Sequence, residues 1–172
     1  MNILTTNRLY LRTLKQNDIE DIYKKIFSQK EVVEHTFGKE LLNFEQAKEF
    51  IKNNCNFNNQ LGLSAIIQTK TQKLIGLGGV LKCNYLQEED YEFGFILCKE
   101  SWGKGYATEI GQAQIEFIKD IIKAPRVLAL ASPQNQASIH TIKKLGLTYL
   151  KDIKTKDGRG VREVYINNFC TT

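Results

Sequence analysis

Apolar residues recur along this chain in two rhythms, and each switch between them marks an element. Polar and apolar positions alternate through Arg8-Leu9-Tyr10-Leu11-Arg12, which predicts a first strand. Ile19, Ile22, Tyr23 and Ile26 then fall on one face at three- and four-residue spacing, predicting a helix over 19–27 with Asp18 as its cap. Residues 31–42 show no clear pattern. Asn43 followed by Gln46 has the form of a capping box and predicts a helix from Phe44 to about Cys55. Residues 63–69 and 73–81 read as a hairpin joined by the polar turn Lys70-Thr71-Gln72. Gly76, Gly78 and Gly79 in its second strand mark a bulge or a close backbone approach.

The second half opens with the stretch around which the chain is organised. Tyr91, Phe93, Phe95 and Leu97 alternate with Glu92, Gly94, Ile96 and Cys98, a strand. Trp102-Gly103-Lys104-Gly105-Tyr106-Ala107 follows, and then Ile110, Ala113, Phe117, Ile118 and Ile121 recur at helical spacing. Residues 126–131 are almost continuously apolar, as suits an inner strand with a parallel neighbour. Asn135 caps a helix that runs to Leu145 and stops at Gly146. Residues 148–153 and 161–169 form a hairpin around Asp157-Gly158. The whole predicts one α/β (α+β) domain over 1–172, with a mixed, mostly antiparallel sheet and a β-α-β-α segment at its centre.

Composition narrows the class. The 172 residues suffice for one domain with a sizeable core, and 42% hydrophobic with 25% charged residues is ordinary for a globular chain. No run of eighteen apolar residues exists and the first residues lack a secretory pattern, so neither a membrane span nor export is expected. Cys55, Cys83, Cys98 and Cys170 lie far apart and the two histidines, His35 and His140, do not cluster with them. A zinc site or disulfide framework is therefore not expected, and reduced thiols place the chain in a cytoplasm. The net charge of +5 is a mild excess that suits an anionic ligand or an acidic partner. Basic residues concentrate only over 151–162, read as a solvated hairpin, and no nucleic-acid-binding signature accompanies them.

The glycine loop carries the chemistry. Two glycines between a strand and a helix leave backbone N–H groups approachable, and the helix terminus adds partial positive charge suited to a phosphate or pyrophosphate. Lys104 adds a mobile cation. The bland alternative is a tight turn with glycines in the left-handed region. The loop has neither the GxxxxGK[ST] of a P-loop nor the third glycine of a dinucleotide fingerprint.

Three segments together resemble the GNAT superfamily of acyl-CoA-dependent N-acetyltransferases, and within it the RimJ/RimL-like branch. They are Thr6-Asn7-Arg8-Leu9-Tyr10-Leu11-Arg12, then Glu92-Phe93-Gly94-Phe95 through Trp102-Gly103-Lys104-Gly105-Tyr106-Ala107-Thr108-Glu109, then Asn135-Gln136-Ala137-Ser138 with Lys144-Leu145-Gly146-Leu147. They occur in the family's order and span nearly the whole chain. Trp102 stands where the superfamily commonly has Gln or Arg, as is usual in this branch. Ile142 stands at the position where many members carry a proton-donating Tyr, so any acid must come from elsewhere.

The resemblance implies an acetyl-CoA co-substrate, with no metal, bound by backbone groups of Gly103, Lys104, Gly105, Tyr106, Ala107 and Thr108. It also implies a splayed central strand at Ile96, Leu97 and Cys98 that receives the pantetheine arm, with Asn135 as a second contact. Glu92 is the candidate general base, against a purely structural carboxylate. Ser138 is the candidate partner of the leaving sulfur, against a residue that merely completes a helix cap. Cys98 reads as a packed strand thiol rather than a nucleophile, His140 as a solvated helix residue and Trp102 as an anchoring ring. The acceptor is a primary amine: a ribosomal or other protein N-terminus, or a small polyamine or antibiotic-like amine. Residues 31–59, with Glu31, Glu34, Glu40, Glu45 and Glu49, are expected to wall it, those carboxylates reading first as solvated charges. A homodimer is a family-level expectation only. The competing class is a non-catalytic acyl-CoA- or phosphoryl-ligand-binding module.

Overall fold

The computed structural model describes residues 1–36 and 40–170. In chain order the elements are β1 (Asn2–Thr5), β2 (Leu9–Arg12), α1 (Asp18–Ile22, continued as a wider turn over Tyr23–Phe27), α2 (Lys30–Val33), α3 (Phe44–Asn54), β3 (Ser64–Gln68), β4 (Leu74–Cys83) and β5 (Asp90–Leu97). Then come α4 (Tyr106–Glu116, widened over Phe117–Ile122), β6 (Arg126–Ala131), α5 (Gln136–Lys144), β7 (Thr148–Lys154) and β8 (Val161–Asn168). The eight strands form one sheet in the order β1-β2-β3-β4-β5-β6-β8-β7. Every neighbouring pair is antiparallel except β5 with β6.

Strand alternation sends helices to both faces. Ala65 and Ile67 of β3 pack with the α1–α3 side, among Ile22, Ile26, Val33 and Ile51. Ile66 between them points the other way, to Leu9, Leu11, Tyr106 and Ile110 under α4. A third cluster joins Phe93 of β5 and Val127 and Ala129 of β6 to Ile139, Ile142 and Leu145 of α5. Burying an aliphatic side chain of this kind stabilises by about 1.5–3 kcal/mol, so the strand parities are strongly fixed. The glycines of β4 are there for approach: a Cβ on Gly76 would sit 2.3 Å from the Ile96 carbonyl oxygen, and one on Gly79 2.0 Å from that of Gly62.

Most predicted elements stand within a residue or two of their expected ends. Asn43 and Gln46 make both halves of the capping box, each at 2.9 Å. Asp18 differs from its expectation. It lies inside α1, and its carboxylate takes the Lys15 N–H at 2.7 Å and both Nη atoms of Arg12 at 2.6 and 2.9 Å. Asn17 occupies the cap position without a side-chain bond. The Arg12 fork outcompetes the cap because a bidentate charged pair, half out of water, is the stronger interaction. The pattern predicts neither β1 nor α2: β1 is four residues long, and α2 falls in the stretch without periodicity. Residues 37–39 of the expected acceptor wall, and 171–172 at the end of the domain, lie outside the described residues.

Candidate active site

The site begins where β5 and β6 part. The two strands register at a single position, Glu92 against Leu128, and the ladder does not continue toward Leu97. On its other edge β5 stays paired with β4 to the end, Gly76 standing opposite Leu97. Which backbone groups this frees follows from alternation. The Cys98 N–H bonds the Ile75 carbonyl at 2.9 Å, and the Ile96 and Gly94 carbonyls press on Gly76 and Gly78 of β4. The even-numbered backbone is thus committed to β4. The N–H groups of Phe95 and Leu97 face the opening instead. The Leu97 carbonyl is taken by the Trp102 indole Nε1 at 2.8 Å, which ties the glycine loop to the strand end.

Below the opening lies a groove of about 660 Å³. The loop and the first turn of α4 form one side through Trp102, Gly103, Gly105, Tyr106, Ala107 and Thr108, and the start of α5 forms another through Asn135 and Ser138. Gly103 and Gly105 have φ of +70° and +77°, a region that costs an L-residue about 1–2 kcal/mol. A Cβ on Gly103 would meet nothing within 4 Å, so its face is bare toward the groove. The eleven-residue α4 starts at Gly105 with no side-chain cap, which leaves its first N–H groups available to an anion.

An unforeseen clamp holds this loop. Glu109, one turn into α4, takes the Thr6 hydroxyl at 2.6 Å, the Arg8 backbone N–H at 2.7 Å and the Arg8 Nε at 2.6 Å. Arg8 Nη1 continues to the Lys104 carbonyl at 3.0 Å, and the guanidinium lies 4.6 Å from the Tyr106 ring centre. Burial alone would raise the Glu109 pKa, but the bonds from Thr6 and Arg8 outweigh it and hold the carboxyl below its ordinary value. The β1–β2 connection and the loop, about a hundred residues apart, are thereby locked together.

A second cavity, about 510 Å³, opens on the other side of β5. Glu92, Gly94 and Ile96 share the β5 face that lines it, joined by Phe50 and Asn54 of α3, Ser132, Ile142, and Asp157, Arg159 and Arg162 from β8 and the hairpin before it. Glu92 is buried, and its Oε2 has no hydrogen-bond partner. Burial pushes its pKa up, against the Arg159 charge and a Tyr85 hydrogen bond that pull it down, while Asp157 adds to the rise. Arg159 bonds Asp157 through Nε and the Tyr85 hydroxyl through Nη2, each at 2.9 Å.

The two cavities meet. Phe95, Ile96, Asn135 and Ser138 line both. Asn135 caps α5 by accepting the Ser138 N–H at 3.2 Å. The cap thus uses the Ser138 backbone and leaves its hydroxyl, without a protein partner among the described residues, at the junction of the cavities.

Of the residues singled out from sequence, Glu92, Ile96, Leu97, Gly103, Gly105, Tyr106, Ala107, Thr108, Asn135 and Ser138 line one or both cavities. Cys98 and Lys104 do not. Cys98 is buried, its N–H spent on β4 and its Sγ 3.2 Å from the Ser101 hydroxyl, with burial raising its pKa. Lys104 contributes its carbonyl to Arg8. Phe95, Arg8, Arg159 and Arg162 belong to the site without having been expected there. Strand parity holds the signal for Phe95 and the first family-like segment contains Arg8; nothing in the local pattern marks Arg159 and Arg162. Among the acidic residues expected on the acceptor wall, Glu31 and Glu34 border the groove instead, and Glu31 is paired with Lys99 at 2.8 Å. Glu40, Glu45 and Glu49 are exposed and line neither cavity. Among the described residues no group of His, Cys, Asp and Glu has metal-site geometry, and no helix is long and apolar enough to cross a membrane.

Comparison with known proteins agrees with this architecture. Residues 8–148 match the model of a family described as "Acetyltransferase (GNAT) domain". The chain is 28% identical over 173 residues to the uncharacterized N-acetyltransferase p20 of Bacillus licheniformis, covering 96% of this chain and 94% of that one. Its fold is similar to that of a GNAT-family acetyltransferase from Bacillus anthracis, with a TM-score of 0.79, 22% identity and 98% of both chains covered. It is also similar to RimL, a ribosomal L7/L12 α-N-protein acetyltransferase solved with coenzyme A, with a TM-score of 0.73, 13% identity and 98% of both chains covered.

Proposed function

The chain belongs to the GNAT acetyltransferase family, and from that premise we propose that it moves an acetyl group from acetyl-CoA to a primary amine by direct attack. One observation carries this reading: a groove floored by bare backbone amides meets, at Ile96 and Ser138, a cavity that holds a buried carboxylate with an open oxygen.

The residues fit the co-substrate. A pyrophosphate suits the α4 terminus and the positive-φ glycines, where donors are aligned and no side chain intrudes. The parted edge of β5 offers the Phe95 and Leu97 N–H groups to an extended amide-bearing arm, as a neighbouring strand would. Bound acetyl-CoA supplies an activated acyl carbon whose thiol departs when an amine attacks.

The chain's own groups do the rest. Glu92, poised by burial, accepts the amine proton, directly or through one water. An N–H on the open edge of β5 stabilises the negative charge that develops on the acyl oxygen, the kind of contribution worth about 10²–10³ in rate. The Ser138 hydroxyl, free of its cap, hydrogen-bonds the departing sulfur. Ile142 is buried beside the second cavity and supplies no proton, so the leaving thiolate depends on Ser138 and solvent. We assign the acceptor to the second cavity and the protein to the cytoplasm.

Calorimetric titration with acetyl-CoA, with adenosine diphosphate alongside, tests the groove. Tighter binding of acetyl-CoA shows that both loop and parted strand are used; no binding to folded protein removes the proposal. Thiol release on adding amines then separates a transferase from a module that only holds acyl-CoA.

A further inference from the structure

The second cavity holds a charge that amine deprotonation does not use. Arg162 of β8 lines it at only 4% exposure. Its Nη1 donates to the Val161 carbonyl at 3.1 Å and its Nη2 to the His35 carbonyl at 3.4 Å, and among the described residues no carboxylate pairs with it. A guanidinium has five N–H donors, and two backbone carbonyls, one at the long limit of a hydrogen bond, compensate a buried cation poorly. Burial and the like charge of Arg159 both depress its pKa, Asp157 only partly opposing them. Arg159 is itself engaged by Asp157 and Tyr85.

Arg162 and Glu92 share one face of the sheet. Glu92 registers with Leu128; Leu130 has the parity of Leu128 and stands opposite Val164, which has the parity of Arg162. The cavity between them is therefore charged at two places, with a base on β5 and an uncompensated cation two strands away. None of the acidic residues Glu31, Glu34, Glu40, Glu45 and Glu49 lines it; the carboxylates that do are Glu92, the candidate base, and Asp157, which is paired to Arg159.

We propose that the acceptor is a small amine carrying its own anionic oxyacid group, a carboxylate or phosphonate, which Arg162 holds while the amino group faces Glu92. This rests on the second cavity being the amine site. The bound anion completes the hydrogen bonding that Arg162 lacks, and Arg159 adds attraction at the hairpin side. An acceptor with positive charge at that end meets two guanidiniums and is disfavoured.

The test is thiol release from acetyl-CoA with matched acceptors: the common amino acids, their carboxamides, their aminophosphonate counterparts, and spermidine. Carboxylates or phosphonates should exceed the matched carboxamides and spermidine by about 100-fold or more in kcat/KM, because a buried charge left unpaired rejects the neutral analogue strongly. The better oxyacid of the two identifies the group. Arg162→Gln should erase the preference through KM, with acetyl-CoA affinity unchanged, and Arg162→Lys should restore part of it. If Arg162→Gln does not fold, the wild-type series and Arg159→Gln, expected to weaken the same preference less, still decide. Carboxamides or spermidine acetylated as well as the better oxyacid would overturn the anionic acceptor and leave the acetyltransferase standing. Acetyl-CoA binding without turnover of any member would overturn the anionic acceptor and leave only the acyl-CoA groove. Failure to bind acetyl-CoA would overturn both.

Discussion

The two cavities are built from different material. The groove offers backbone donors from the open edge of β5, two positive-φ glycines and the first turn of α4, held by the Arg8–Glu109 clamp. The second cavity brings together charged and polar side chains from α3, β5, the end of β6 and the β7–β8 hairpin. Backbone donors recognise what every acyl-CoA shares, and they do so whatever side chains surround them. Side chains recognise what differs among amines. One fold can thus keep its co-substrate and change its acceptor by altering residues that touch only the second cavity.

Substitutions on either side should separate the two. Glu92→Gln has the largest expected effect: a fall in kcat of about 10²–10⁴ in thiol-release kinetics, with acetyl-CoA affinity unchanged by calorimetry. The same variant carries a pH signature. A carboxyl raised by burial is more easily ionised in the unfolded chain, at about pH 4.3, than in the fold. It therefore favours folding below that pH, and this contribution is lost as pH rises through the folded value. Thermal unfolding at neutral pH should show Glu92→Gln as stable as the parent or more so, the advantage vanishing in acid. Wild-type rate should correspondingly fall on acidification at a pH above the ordinary carboxylate range.

Gly105→Val addresses the other side. Its φ of +77° leaves a branched residue strained, and a Cβ there would stand 3.4 Å from the Arg8 Nη2. Acetyl-CoA binding should weaken by about tenfold or more, in line with about 1–2 kcal/mol of backbone strain, while the oxyacid preference of residual turnover is retained. Glu109→Ala should act on the groove from a distance. Releasing Arg8 and Thr6 should cost about 1–2 kcal/mol in denaturant unfolding and loosen acetyl-CoA binding by a smaller factor. Ser138→Ala should be mildest, slowing turnover a few-fold (about 1 kcal/mol for one neutral hydrogen bond) with α5 intact, because Asn135 still caps the Ser138 backbone.

The contrast in material also explains which parts are legible along the chain. Ile19 to Ile26, Asn43 with Gln46, the 63–81 hairpin and the alternation at Tyr91 to Leu97 are legible because each is decided within a few residues. So is the glycine loop, whose left-handed turns demand glycine at two nearby positions. Asp18 looks like a cap in sequence because its partner, Arg12, belongs to another element. Strand position alone puts Cys98 in the groove, although the β4 ladder takes its amide. Phe95 is overlooked for the same reason in reverse.

The alternating strands, the capped helices, one central strand–loop–helix and a loop suited to phosphate are written in the order of residues, since periodicity, turn conformations and caps are local physics. The folded chain adds the rest: that β5 parts from β6 after Glu92, that Glu109 reaches Arg8, that Glu92 keeps an open oxygen and that Arg162 is buried without a carboxylate among the described residues. Hydrogen-bond satisfaction and charge compensation are properties of whatever the fold brings within a few ångströms, and no spacing along the chain encodes them.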